Sequence, residues 1–174
     1  MGSKTLSPTN WLEPDIASSM MLNRDPSSDA TSPMSGTDWL NLILEPRLHP
    51  DVPEEVKGMY ETARAVITYG WFYYPMITLG AEQLYRVLEA AASHKCKSMN
   101  APSSVKTFDK KLNWLNTKCI LTDEDVHRWT PARTLRNIAS HAKFQALHLP
   151  SYAIQELENA ANDINSLFRK TGNP

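Results

Sequence analysis

"PEEVKGMYETARAVITYGWFYYPMITLGAEQLYRVLEAAASHK", Pro53 to Lys95, decides the fold. It opens on a proline followed by Glu54 and Glu55. A fixed φ and negative charge both suit a helix N-terminus. Val56, Met59, Tyr60, Ala63, Val66 and Ile67 then recur at helical spacing. Pro75 either ends or kinks this helix, and from Met76 the helical pattern resumes. Within the stretch, Ala65 to Ala81 carries no charge. It is short of the roughly 20 residues a bilayer demands and holds Pro75 and several hydroxyls, so it reads as a buried helix rather than a membrane span.

On the C-terminal side, "SMNAPSS" marks a loop. A helix follows over "SVKTFDKKLNWLNTK", with Val105, Phe108, Leu112 and Leu115 on one side. The next, "TDEDVHRWTPARTLRNIASHAKF", opens on Thr122 as a cap with three acids in its first turn. Pro131 kinks or restarts it. A last amphipathic helix runs from Ser151 to about Lys170, with Ile154, Leu157, Ala161, Ile164, Leu167 and Phe168 as its apolar stripe.

On the N-terminal side, Thr37 reads as the N-cap of a short helix, "DWLNLILEP", that stops at Pro46. The connector "RLHPDVP" leads from there into the main domain. Met1 to about Gly36 is rich in Ser, Thr, Pro and Asp, too poor in apolar surface to offset its ordering entropy. It is expected to be disordered, with Trp11, Leu12 and "SMMLN" as weak docking points. No alternating β pattern or internal repeat competes. The expectation is an all-α bundle of four to five helices. Residues 1–36 form the tail, 37–52 a short helix and linker, and 53–171 the helical domain.

The chain of 174 residues is 41% hydrophobic and 21% charged, with a formal net charge of -1. That suits one globular domain and supplies no global positive field for nucleic acid. Cys96 and Cys119 lie far apart with no Cys-x-x-Cys spacing, and no secretion signal precedes them. Both are read as reduced thiols of a cytoplasmic protein with no membrane partner. "MGSKTL" approaches a myristoylation signal, but Leu6 stands where Ser or Thr is wanted. No carboxylate or His/Cys cluster has metal-ligand spacing, so no metal or other cofactor is expected.

The chemistry is concentrated in "LRNIASHA", Leu135 to Ala142. On a helix turning about 100 degrees per residue, Arg133, Arg136, Asn137, Ser140 and His141 share an arc of roughly 140 degrees. Leu135, Ile138 and Ala142 fall on the opposite face. Amphipathicity explains why polar groups occur here. It does not explain their types, since the Glu and Lys that usually solvate a helix are missing. The spacing R-x4-H is weak alone; Asn after the Arg, and the late place in an all-helical domain, strengthen it.

At these residues, over about Pro53 to Lys170, the chain resembles the HEPN superfamily. Its ribonuclease members carry R-x4–6-H with a polar residue after the Arg. "YGWFYYPMITLGAEQLYRVLEAA" is similar to the leading helices of bacterial HEPN-like proteins. The resemblance implies a homodimer in which Arg136 and His141 of both copies line one composite cleft and cleave RNA without metal. Asn137 would orient them, with Ser140 and Arg133 in support. It also implies a toxin–antitoxin or phage-defence setting with an antitoxin as partner. Lys143 stands where toxins regulated by a nucleotidyltransferase carry a tyrosine, which speaks against that route here. The chemistry is sound in itself. A histidine with pKa near 6.5 suits deprotonation of a 2′-OH, and an Arg fork can hold the phosphate. The alternatives are interhelical hydrogen bonds or a dimer salt bridge at Arg136 and His141, in a non-catalytic dimer that binds a nucleotide, RNA or a partner protein.

Four further features carry expectations. Lys95, Lys97, Lys106, Lys110, Lys111 and Lys118, with one acid at Asp109, form either a solvated face or an RNA-backbone patch centred on Lys106, Lys110 and Lys111. The aromatics Tyr69, Trp71, Phe72, Tyr73 and Tyr74 suit core and interface better than base stacking. Glu82 and Arg86 form an i,i+4 pair, or Glu82 faces the motif helix and positions Arg136 or Arg133. His127 and Arg128 reach a shared cleft only near a symmetry axis, and His94 and His148 are surface or loop residues.

Overall fold

A computed structural model of the chain describes residues 4–24, 27, 28, 30–129 and 147–169. The described residues form the expected helical bundle. α1 spans Ile16–Ser19, α2 Gly36–Leu44, α3 Glu54–Tyr69, α4 Pro75–Ser98 and α5 Phe108–Thr117. Residues 123–129 are helical (α6), and α7 is Pro150–Phe168. β1 (Leu22–Arg24) and β2 (Thr31–Pro33) pair antiparallel, with Asn23 opposite Ser32. This small hairpin has no counterpart in the sequence reading, because three-residue strands are too short to show an alternating pattern.

α4 is the central helix and packs on α3, α5 and α7, while α2 packs on α3 and α7. The core joins Val56, Tyr60, Ala63 and Ile67 of α3 to Ile77, Ala81, Leu84 and Leu88 of α4. Leu157, Ala161, Ile164 and Leu167 of α7 complete it. The helical periodicity of the sequence therefore marks the faces that are buried.

The charge-free stretch 65–81 is not one buried helix. It divides into the end of α3, a turn over 70–74, and the start of α4. Gly70 and Pro75 bracket the break, one tolerating the tight exit and the other sitting at the first position of α4. The two helices then pass at a distance only glycine permits. A Cβ on Gly80 would lie 2.8 Å from the Ile67 amide nitrogen and 3.0 Å from the Ala63 carbonyl oxygen. One on Gly70 would lie 3.1 Å from the Ile77 nitrogen of α4, besides meeting the Ile67 carbonyl of its own helix at 2.8 Å. The contacts 67–80 and 70–77 run in opposite senses, so α3 and α4 form an antiparallel hairpin.

α2 starts at Ser35, not Thr37. Ser35 Oγ accepts from the Asp38 N–H while the Asp38 carboxylate accepts from the Ser35 N–H, a reciprocal pair that Thr37 cannot form. Trp39 and Ile43 point inward, and the Trp39 indole N–H donates to the Thr68 carbonyl at 3.1 Å. Asn165 of α7 holds the connector: its amide donates to Arg47 O and accepts from the His49 N–H. Thr122 caps α6 as expected, in reciprocal bonds with Asp125.

The N-terminal segment was expected to be disordered. Its described residues dock on the α3–α4 turn through polar groups. Asp15 and Ser18 are buried, unlike Trp11, Leu12, Ile16 and Met20, which remain exposed. Asp15 accepts from the N–H of Ala17 and, at 3.2 Å, from that of Tyr74 at the start of α4. Its own N–H donates to Trp71 O, and Ser18 Oγ donates to Gly70 O. α4 has no side-chain cap of its own, so this arm supplies one from a distance.

Candidate functional site

The residues of the expected motif, Arg133, Arg136, Asn137, Ser140 and His141, lie outside the described residues. The described chain leaves off at Trp129 and resumes at Leu147. Those two ends can be built from the residues upward.

The first end is α6. The Asp125 carboxyl is held below the ordinary aspartate value, chiefly by the Thr122 backbone N–H and then by the Thr122 hydroxyl and Arg128. Arg128 donates from its Nε to Asp163 at 2.8 Å and from an Nη to Asp125 at 2.6 Å. Asp163 is buried on α7 among Leu157, Ala160, Ile164 and Leu167. Burial raises its carboxyl above the ordinary value, with Arg128 pulling the other way. Trp129 follows, fully buried against the Phe108 ring at 6.2 Å. Its buried indole N–H is turned toward the Asp163 carboxyl, which it helps to lower, without a hydrogen bond of ordinary geometry.

The second end lies at the start of α7. The His148 N–H donates at 2.9 Å to the hydroxyl of Thr78, a fully buried residue of α4. The His148 ring stacks on Tyr152, with centroids 4.7 Å apart. Tyr152 shares a 3.0 Å hydrogen bond with Tyr85 of α4. Burial pushes both phenols up and, one turn further along α7, pushes the Glu156 carboxyl up as well, opposed by Asn159 and Tyr85. His148 is therefore a loop residue, as expected, but one built into the bundle. Thr78, Tyr85 and Lys95 of α4 meet His148, Tyr152 and Phe168 in the same order, so α4 and α7 run parallel.

Tyr152, Glu156 and Asp163 form a polar stripe along α7 beside its apolar face. Asp163 meets α6 at one end of the stripe and Tyr152 meets His148 at the other. The separation is about 17 Å at 1.5 Å of rise per residue. None of these three residues featured in the sequence reading. The signal available was an acid, Asp163, at a position flanked by apolar stripe residues.

Glu82 is half-buried on α4 beside Tyr85, where its charge helps raise the phenol. It makes no ion pair with Arg86, which is exposed. The lysine patch divides. Lys106 and Lys110 are exposed, but Lys111 turns inward, donating to Ser93 Oγ at 2.8 Å with Glu89 at 3.5 Å. Lys95 and Lys118 lie over the rings of Phe168 and Trp114.

Of the aromatic run, Trp71 is core, Phe72, Tyr73 and Tyr74 are half-buried and Tyr69 is exposed. His94 pairs with Glu55 at 2.7 Å, and His127 is exposed. Both cysteines are free thiols. Among the described residues no set of three acidic, His or Cys side chains could hold a metal ion, and no helix is long and apolar enough to cross a membrane. Neither a family model, nor a curated protein, nor a solved structure matches this chain.

Proposed function

We propose that the protein is a metal-independent endoribonuclease of HEPN type. Arg136 and His141 of two copies would form a composite cleft, supported by Asn137, Ser140 and Arg133. The observation that carries this reading is the motif Arg136-Asn137-x3-His141 in a chain whose described part is a helical bundle. His141 takes the proton from a ribose 2′-OH. The 2′ oxygen bonds to phosphorus, the bond from phosphorus to the 5′ oxygen breaks, and the leaving 5′ oxygen takes up a proton. A 2′,3′-cyclic phosphate and a 5′-hydroxyl end result. Arg136 offsets the charge that develops on the phosphate oxygens. Lys106 and Lys110, both exposed, supply sequence-independent attraction for the RNA backbone.

The test is cleavage of single-stranded RNA in EDTA. Wild type cuts and leaves the cyclic end. Arg136→Ala and His141→Ala each lower the rate about 100-fold or more with an unchanged melting curve. Cutting that survives both substitutions refutes the reading, and RNA retention without cutting assigns a binding role instead. Growth arrest on expression, relieved by either substitution, would place the activity in a toxin or defence setting.

A further inference from the structure

Gly58 stands inside α3, where glycine is a poorer helix former than alanine. Gly70 and Gly80 are glycines of necessity, since a Cβ on either would lie 2.8 Å from a backbone atom. A Cβ on Gly58 would meet nothing within 4 Å. Among the described residues, then, nothing requires glycine at this position. Glycine also serves where a ligand must come close to the backbone. Gly58 lines a groove of about 610 Å³, the size of a small-molecule site, and every residue that lines it is described.

One wall of the groove is a face of α3. Lys57 Nζ donates to Glu54 at 2.8 Å and to Pro50 O at 2.9 Å. Arg64 pairs with Glu61, donates to Pro46 O at 3.3 Å and lies over the Tyr60 ring. Both cations are thus paired with a carboxylate of their own helix and fixed by a carbonyl of the connector. The other wall comes from the end of α2 and the connector, and brings Leu44, Arg47 and Leu48. Arg47 is exposed, and its guanidinium has no partner among the described residues. The groove therefore offers one uncompensated positive charge, two apolar side chains and, at Gly58, bare helix backbone.

We infer that this groove binds an apolar carboxylic acid. Its carboxylate takes the Arg47 fork, whose planar N–H donors match the two oxygens. Its apolar body lies on Leu44 and Leu48 and reaches the α3 backbone at Gly58, where a side chain would stand in the way. A single negative charge is what the groove can match, because three cations line it against two carboxylates. A phosphate monoester carries about 1.5–2 charges at neutral pH, more than Arg47 alone offsets. A cation would meet net repulsion. None of these residues belongs to the expected ribonuclease motif, and the acid is bound whether or not the chain cuts RNA.

The experiment titrates full-length protein with 2-naphthoate and follows the heat of binding. One equivalent per chain should bind saturably below about 1 mM. The uncharged analogue 2-naphthamide should bind about tenfold more weakly or worse, and 2-naphthyl phosphate more weakly than the carboxylate. No saturation in that range, an amide that binds as tightly, or a phosphate that binds more tightly overturns the assignment. Arg47→Ala should weaken binding of the carboxylate about tenfold or more, and Arg47→Lys by less, because lysine keeps the charge without the fork. Gly58→Leu fills the space over the α3 backbone. It should also weaken binding about tenfold or more while raising the melting temperature, leucine being the better helix former. Arg86→Ala, which removes an exposed cation of α4 outside the groove, should leave affinity unchanged. Undiminished affinity in either Arg47→Ala or Gly58→Leu overturns the site, as does a loss in Arg86→Ala equal to that in Arg47→Ala.

Discussion

The crossing of α3 and α4 makes one chemical change act with opposite sign at two glycines. Replacing a helical glycine by alanine ordinarily stabilises by about 1 kcal/mol, because alanine loses less backbone freedom on folding. Gly58 lies on the exposed side of α3 with nothing within 4 Å of an added Cβ. Gly58→Ala should therefore gain about 0.5–1 kcal/mol. At Gly80 the same methyl meets the Ile67 nitrogen at 2.8 Å and the Ala63 oxygen at 3.0 Å, where ordinary contact begins at 3.4 Å. Both neighbours are backbone, so no rotamer change relieves the clash. The helices must separate by about 0.6 Å along an apolar interface that is otherwise closely packed. Overpacking of this kind costs about 1–3 kcal/mol, and the upper end applies where only backbone can give way. Set against the gain in propensity, Gly80→Ala loses about 2 kcal/mol.

In a chain of this size about 1 kcal/mol moves the melting temperature by roughly 2–4 °C. Thermal and urea unfolding followed by far-ultraviolet circular dichroism should place Gly58→Ala a few degrees above wild type and Gly80→Ala about 4–8 °C below. A Gly80→Ala variant as stable as wild type would show that the helices do not cross this closely.

Three further outcomes follow from the described contacts. Asp15→Ala should cost about 1–2 kcal/mol and speed proteolysis within residues 4–24, because the carboxylate serves both α1 and the start of α4; undiminished protease resistance would refute the docking. Cys119 is exposed and sits at φ 56° after α5, a conformation that costs a side chain about 1–2 kcal/mol. Cys119→Gly should stabilise by about 0.5–1 kcal/mol in urea, and Asn100→Gly, at the matching place after α4, by less, because Asn tolerates that conformation. Glu156 has a folded-state carboxyl pKa raised above its ordinary 4.5 by burial. The folded state then binds more protons than the unfolded one just above that value, so stability falls as pH rises through this window. Glu156→Gln should be the more stable protein at neutral pH, an advantage that disappears below about pH 4.5; equal stability at every pH would refute the burial argument.

How much could be read in advance depends on what kind of contact holds each part. The buried faces of α3, α5 and α7 were legible because one-sided burial leaves a period of about 3.6 in the sequence. Thr122 was legible as a cap because its partner, Asp125, lies three residues away. Ser35 and Asp38 show the same spacing, although Thr37 stands closer to the apolar run. Where partners are far apart no such pattern exists. Lys111 looked like part of an open basic patch until α5 folded against α4 and gave it Ser93 and Glu89. The arm looked unable to order itself on apolar grounds, and its exposed Trp11, Leu12 and Ile16 agree; it is held instead by Asp15 and Ser18, polar residues whose partners lie more than fifty positions away.

Thr78 and Asp163 belong to that same class. Each stands among apolar neighbours on a helix whose burial could be foreseen, so the surprise is confined to one side chain. A polar residue on a foreseeable apolar face must find a partner or forfeit stability. The residue type therefore announces that a contact exists, and only the fold says with what. In both helices that contact is a chain end flanking the segment that carries Arg136 and His141. The ordinary logic of burial thus marks, from residue type alone, where a long-range contact must form.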